Sequence, residues 1–307
     1  LMLDLGFVSA ILPDYSLEKL VLFAAEEKFS CIEIMCWPLG KSERRYAGVT
    51  HIDIDTLNST KIIEIKALLK DHNVSISGLG YYPNPLDEDV EKRKYFQEHI
   101  KKIIKAAAAL DIPVVNTFIG RNQYLNLDEN FKLFATEWAS IIDVAQANGI
   151  KIGIENCPMI FTYDEWPGGK NMAINPQIWE KMFDCFPTPL FGLNFDPSHF
   201  IWQQMDYIQP LYDFKDRLHH IHLKDVKLYK NKLDKVGIMS PPNFYSSPKI
   251  PGYGDVHWGK FFSALTDIGY RGPVCIEVED KAFEANEKDV LTAIKTARNY
   301  LNQYLSS

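Results

Sequence analysis

Short apolar, β-branched runs alternate along the whole chain with longer stretches whose apolar positions recur at helical spacing. The apolar runs predict strands at 5–12, 31–37, 74–81, 114–119, 151–155, 190–195, 220–224 and 274–278. The amphipathic stretches predict helices at about 16–29, 59–72, 88–110, 131–148, 176–186, 207–218, 258–268 and 286–304. Ser16 stands where an N-cap belongs, although Lys19 occupies the position at which a capping box has Glu. Gly149 stands at a helix C-terminus.

Strand–helix alternation of this kind implies a parallel sheet, because the crossover helix returns each strand in the same direction. Eight such units within 307 residues, with no linker between them, favour closure into a (β/α)8 TIM barrel over an open doubly wound sheet. No G-x-G-x-x-G follows the first strand and no G-x-x-x-x-G-K-[ST] occurs, so the dinucleotide and P-loop folds lack their fingerprints. Composition does not break anywhere, and 1–307 reads as a single domain.

Two connections exceed a plain turn, 38–57 after the second strand and 226–257 after the seventh. Long loops in compact domains are usually lids or binding loops, which places both over the active site; a disordered insertion is the alternative. The later one carries Pro241, Pro242, Pro248 and Pro251 with several aromatic residues suited to closing over a ring. Lys41, Arg44 and Arg45 in the earlier one offer anion contacts or simply a solvated face.

Composition narrows the function classes. The hydrophobic fraction is 46 % and the charged fraction 24 %, ordinary for a globular chain with a full core. A formal charge of −7 argues against a nucleic-acid partner, since neutralising phosphates takes a basic surface. Cys31, Cys36, Cys157, Cys185 and Cys275 show no metal-finger or CxxC spacing and read as structural thiols in a reducing compartment. No apolar stretch approaches the roughly 18 residues of a membrane span, and no basic segment followed by an apolar core opens the chain. The expectation is a cytoplasmic protein without a membrane partner.

Chemistry in such barrels sits at the C-terminal ends of the strands. Four strand ends carry acids or imidazoles: I-G-I-E-N ending in Glu155 and Asn156, L-N-F-D-P-S-H with Asp196 and His199, H-I-H-L-K-D with His220, His222 and Lys224, and V-C-I-E-V-E with Glu277 and Glu279. A carboxylate beside an apolar strand is costly unless it is paired or metal-bound. Ion pairs with Lys224, Arg121 or Arg271 would satisfy any one of them; four on successive strand ends point instead to a shared cation. Three carboxylates and one imidazole, Glu155, Asp196, His222 and Glu277, suit one divalent ion, Mn²⁺ first, with Mg²⁺, Co²⁺ or Zn²⁺ as alternatives.

On I-E-N-C-P, N-F-D-P-S-H, H-I-H-L-K-D and G-P-V-C-I-E-V-E, the chain resembles the xylose-isomerase-like TIM-barrel superfamily of ketose 3-epimerases, sugar isomerases, inosose dehydratases and endonuclease IV. The resemblance implies that Glu155, Asp196, His222 and Glu277 hold the metal and that Glu155 and Glu277 form an acid/base pair on opposite faces of a sugar. It implies that His199 hydrogen-bonds a substrate oxygen. The epimerases carry an arginine six residues after the metal histidine, where this chain has Leu228 with Lys227 beside it.

A proton on carbon beside a carbonyl is weakly acidic, so its removal needs a base on one face, an acid on the other and a cation to stabilise the developing charge. Such a site epimerises, isomerises or dehydrates according to substrate pose. The function expected is a metal-dependent isomerase or epimerase of a ketose or keto-sugar derivative. Inosose-type dehydration and keto-glycoside processing are the alternatives.

His199, Trp37, Tyr81, Asn116, Lys224 and His257 are the expected substrate contacts, with Asn156 beside them. His220 alternates onto the face of His222 and is expected deeper in the barrel. Without a basic cluster or glycine-rich helix start near the last strands, an unphosphorylated carbohydrate is favoured. Asp255-Val256-His257 resembles the Asp-x-His pair of endonuclease IV, but Tyr81-Tyr82 and Asn116-Thr117 stand where two of that enzyme's zinc histidines belong. A non-catalytic sugar-binding protein is the third class, and it would not need opposed carboxylates. A homodimer or homotetramer is the common assembly for such barrels.

Overall fold

A computed structural model describes residues 3–40, 47–165 and 168–305. Eight parallel strands close into a barrel: β1 (Asp4–Val8), β2 (Cys31–Met35), β3 (Ser75–Gly80), β4 (Val114–Thr117), β5 (Lys151–Glu155), β6 (Phe191–Phe195), β7 (Leu218–Leu223) and β10 (Pro273–Ile276). Each strand pairs with its sequence neighbours and β10 returns to β1, which is the (β/α)8 order expected from the alternation. These strands are buried on both faces, the inner by the barrel core and the outer by helices, which is why they read as continuous apolar runs.

Helices α1 (Leu17–Glu26), α2 (Ser59–His72), α3 (Val90–Ala109), α4 (Leu127–Glu137), α5 (Ala139–Asn148) and α6 (Pro176–Cys185) follow the first five strands. The Ser16 side chain caps α1 by accepting from the Lys19 amide at 3.1 Å, and Gly149 ends α5 with φ 66°. The single helix expected at 131–148 is two, α4 and α5, separated at Trp138. This fully buried indole donates to the Ile119 carbonyl at 3.0 Å and pins the break against the barrel.

α7 (Ser198–Trp202) closely follows β6, and the helix expected at 207–218 is likewise reduced, to α8 (Gln209–Asp213) and a short 3-10 turn. The Asp206 carboxylate accepts from the Ile208 amide just before α8 begins, while Leu218 already belongs to β7. The C-terminal part adds α9 (Lys230–Val236), α10 (Trp258–Asp267) and α11 (Glu287–Leu301). Among the described residues, no helix is long and apolar enough to cross a membrane.

The 226–257 connection is ordered. It folds as an antiparallel hairpin of β8 (Asp225–Leu228) and β9 (Ser246–Lys249), with α9 between them. Pro248 pairs with Val226 in this two-stranded ribbon, a place where a missing N–H is tolerated. In the 38–57 connection Cys36 bridges Thr50 and a 3-10 turn spans Ile54–Thr56; Lys41, Arg44 and Arg45 lie outside the described residues.

Candidate active site

In barrel order, β10, β7, β6 and β5 are adjacent. Glu155 ends β5, Asp196 directly follows β6, His222 sits near the end of β7 and Glu277 directly follows β10. One ligand atom from each of these four lies within 4.8 Å of the others. Glu155 and Glu277 therefore stand at the two ends of an arc, with Asp196 and His222 between them.

The backbone around each is fixed by partners of its own. Asn156 accepts from the Asp196 amide at 2.8 Å and donates to the Asp196 carbonyl at 2.9 Å, which makes Asn156 a brace between β5 and β6. Asp196 Oδ1 accepts from the Ser198 amide at 2.8 Å, and Asn171 donates to the carbonyls of Glu155 and Cys157 at 2.9 and 2.8 Å. The second carboxylate oxygen of Asp196 is left facing His199 Nε2 at 3.1 Å.

Imidazole orientation at His222 comes from a residue that the strand-end reading passes over. Glu33, in the middle of β2 and fully buried, places Oε2 2.5 Å from His222 Nε2. Tyr82 donates its hydroxyl to Glu33 Oε1. Gly80 makes room for this carboxylate, since a Cβ there would lie 2.8 Å from Glu33 Oε1. Below it, Asn194 approaches His222 Nε2 at 3.0 Å and His220 Nδ1 at 3.0 Å, and Ser77 meets His220 Nε2 at 3.0 Å. His220 is thus deeper than His222, as alternation along β7 requires.

With Nε2 engaged, His222 directs Nδ1 into the arc, 3.1 Å from Glu277 Oε2 and 3.8 Å from Glu155 Oε1. Three buried atoms here, Asp196 Oδ2, His222 Nδ1 and Glu277 Oε2, make no hydrogen bond. Buried polar atoms without a hydrogen bond are rare in native proteins, and these three converge from separate strands. Together with Glu155 they form an oxygen-rich set with one nitrogen that fits a divalent cation.

Electrostatics of the cluster are those of crowded acids held by few cations. Burial raises the Glu155 carboxyl, but His199 and His222 outweigh it and hold the group well below its ordinary range. Burial likewise opposes ionisation of Asp196, and His199 with Lys224 again outweigh it. At Glu277 burial wins over Lys224 and His222, helped by the Glu155 charge, and the carboxyl is raised. Burial disfavours the charged Lys224 ammonium, yet Glu277 and Glu279, at 3.5 and 2.9 Å, keep it protonated well above its ordinary range.

A cavity of about 700 Å³ opens over this cluster at the C-terminal mouth of the barrel. Glu155, His199, His222, Lys224 and Glu277 line it, as does Trp37. The hairpin contributes Pro242, Asn243 and Ser246 to the wall. Cys157 also reaches the cavity and groups with Glu155 and His199.

Three expected contacts lie elsewhere. Tyr81 packs edge-on between Trp37 and His99, at ring distances of 4.9 and 4.8 Å, and its neighbour Tyr82 faces the cavity instead. The chain leaves β3 at Gly80, so strand alternation no longer decides which tyrosine points inward. Asn116 is buried inside the barrel, packed against Gly78 and Gly153, and does not line the cavity. His257 caps α10 by accepting from the Lys260 amide at 3.3 Å, and its ring is not part of the cavity. Asp255 accepts from the Leu228 amide at 2.8 Å, and neither it nor His257 belongs to a metal-capable group among the described residues. The pair that resembles the nuclease motif thus serves the hairpin and a helix start.

Comparison with known proteins agrees with the fold. The family described as xylose isomerase-like TIM barrel matches residues 21–302. An inosose dehydratase of Clostridium perfringens is 30 % identical over 219 residues, covering 69 % of this chain and 71 % of that protein. The IOLI protein with a binding zinc atom superposes with a TM-score of 0.71 at 18 % identity, covering 99 % of this chain and all of the other. D-psicose 3-epimerase from Clostridium cellulolyticum H10, solved with D-tagatose, gives a TM-score of 0.68 at 16 % identity over the same shares.

Proposed function

Because the chain belongs to the xylose isomerase-like TIM-barrel family, we propose that it is a divalent-metal-dependent enzyme that epimerises or isomerises a keto-sugar or its derivative by moving a proton on carbon next to the carbonyl. The observation that carries this reading is the arc itself: Glu155 and Glu277 at its two ends, Asp196 and His222 between, one ligand atom of each within 4.8 Å. A cation held by these four, Mn²⁺ in our reading, supplies Lewis acidity toward the substrate's carbonyl oxygen.

The side chains do the rest. Glu155 and Glu277 approach from opposite ends of the arc, so one takes a proton from carbon and the other delivers one, which inverts the centre. Return of the proton to the neighbouring carbon isomerises instead. Lys224 donates toward Glu277 and Glu279, which holds the Glu277 carboxyl in position. His199 presents Nε2 to the cavity beside Asp196 and can donate to a substrate oxygen. Pro242, Asn243 and Ser246 of the hairpin form part of the wall around this proton path.

Likeness to an inosose dehydratase favours a second reading, in which the same acid protonates a departing β-hydroxyl. Incubation with Mn²⁺ and a panel of ketoses, inososes and keto-glycosides in D₂O tests both. Deuterium on a carbon beside the carbonyl with the sugar's mass otherwise retained supports isomerisation, and loss of water supports dehydration. A panel that takes up no deuterium and loses no water overturns both. Replacing Glu155 or Glu277 by Gln is expected to lower turnover by about 10²–10⁴-fold.

A further inference from the structure

Trp202 and His199 lie three residues apart on one face of α7. The Trp202 indole N–H donates to His199 Nδ1 at 3.3 Å, with the two ring planes nearly perpendicular, at 88°. An indole nitrogen has a proton to give and no lone pair to offer, so the direction of this bond is fixed. Nδ1 is therefore the bare nitrogen of the imidazole, and the ring proton sits on Nε2.

Surroundings on the other side of the ring agree. Asp196 Oδ2 lies 3.1 Å from Nε2 and Glu155 Oε1 3.6 Å, and carboxylate oxygens attract an N–H and repel a lone pair. Nε2 nevertheless makes no hydrogen bond within the protein, although His199 is only 8 % exposed and lines the cavity. A buried donor without an acceptor is costly, so the acceptor has to come from the cavity.

The position of that proton matters because His199 also groups with Glu155 and Cys157, one ligand atom of each within 4.8 Å of the others. Thiolate, imidazole and carboxylate together suit a softer divalent ion such as Zn²⁺ or Cd²⁺. To ligate there, Nε2 would have to offer a lone pair and Nδ1 would have to carry the proton, pointing it at the indole N–H. A cation in the arc draws on the Asp196 and Glu155 oxygens and so weakens their hold on the Nε2 proton. The indole N–H keeps its hold.

We propose that Trp202 is a positioning residue that keeps the His199 proton on Nε2, making this imidazole a hydrogen-bond donor to a substrate oxygen and closing the Glu155–Cys157–His199 trio to a second cation. The inference rests on the proton-transfer reading for what the donor meets, but not for where the proton sits.

Long-range proton–nitrogen correlation spectra of the full chain, labelled with ¹⁵N-histidine and loaded with diamagnetic Mg²⁺, test it directly. The His199 ring is assigned by its absence from His199→Asn. Wild type is expected to show Nδ1 in the unprotonated range and Nε2 in the protonated range. Trp202→Phe keeps an aromatic ring and removes the N–H, so the preference for Nε2–H is expected to weaken by about 2–10-fold and the two shifts to move toward each other. A protonated Nδ1 in the wild type overturns the inference, and so do unchanged shifts in Trp202→Phe, which is what a residue that only packs would give. Cd²⁺ added to the Mn²⁺-loaded wild type is expected to produce no thiolate-to-cadmium absorption from Cys157. A band that the wild type shows and Cys157→Ser lacks overturns the closure of the trio. Should Trp202→Phe not fold, the wild-type spectrum and the Cd²⁺ titration decide by themselves. None of these measurements needs turnover, so their failure leaves the proton-transfer reading intact. The expected spectra with no deuterium uptake into any substrate do the reverse.

Discussion

Trp258 Nε1 donates to Asp225 Oδ2 at 2.9 Å, joining the two ends of the hairpin insertion through a buried carboxylate. The same carboxylate accepts from the amides of Val226, Gly252 and Val256 at 2.9, 3.0 and 3.0 Å. Gly254 is required beside it, because a Cβ there would overlap Asp225 Oδ1. Asp225→Ala leaves these donors buried and unpaired, so a loss on the order of 3–5 kcal/mol in urea unfolding is expected. A loss below about 1 kcal/mol would show that the carboxylate does not anchor the insertion.

Glu33 never reaches the cavity, yet it decides which imidazole nitrogen of His222 does. Carboxylates that accept from a metal-bound histidine typically change metal affinity by about 10–100-fold when removed. Glu33→Gln keeps the volume and loses the charge-assisted bond, so Mn²⁺ affinity measured by competition with a fluorescent chelator is expected to fall within that range. Affinity unchanged within about twofold would contradict a positioning role.

Much of this was legible because barrels place strand ends together. Glu155, Asp196, His222 and Glu277 each break an apolar run at its C-terminal end, and closure of the barrel does the assembling. Glu33 carried a signal too: an acid at the centre of C-I-E-I-M, in a strand buried on both faces, must have a partner. Strand-end reading missed it because Glu33 lies mid-strand. Tyr81 and Tyr82 could not be told apart, since both follow the last residue of β3. His257 was read from local residue order, whereas its position is set by the hairpin and the start of α10, a tertiary fact.

The three converging atoms without hydrogen bonds set an expectation for composition. Elemental analysis of protein prepared with Mn²⁺ is expected to give close to one ion per chain. Asp196→Ala is expected to lower that occupancy, because it removes the buried oxygen between Glu155 and His222. A ligand that binds only the folded state stabilises by about 2.7 kcal/mol at a hundredfold excess over Kd, so chelation should lower the melting temperature of the loaded protein and leave the variant almost unaffected. Three ions per chain would revive the nuclease reading.

His219 supplies a pH dependence away from the metal cluster. It lies on β7 facing outward from the barrel, 6 % exposed, and its Nε2 makes no hydrogen bond. Burial, reinforced by the charges of Lys151 and Arg217, lowers its pKa to about 4. The folded chain therefore keeps this imidazole neutral in a range where the unfolded chain, titrating near 6.5, takes up a proton. With more protons bound in the unfolded state, stability rises with pH between about 4 and 6.5, is fully present above that window and is lost as pH falls through it. Burial also lowers His51 and His99, so the wild-type slope has the same sign from three residues. His219→Asn removes one contribution. Unfolding free energies from urea titrations at pH 7.5 and 4.5 should differ less in the variant than in the wild type, by about 2–3 kcal/mol. Whatever His219→Asn does to absolute stability cancels in that difference, so an unchanged pH slope would mean that the imidazole is protonated, or solvated, in the folded barrel.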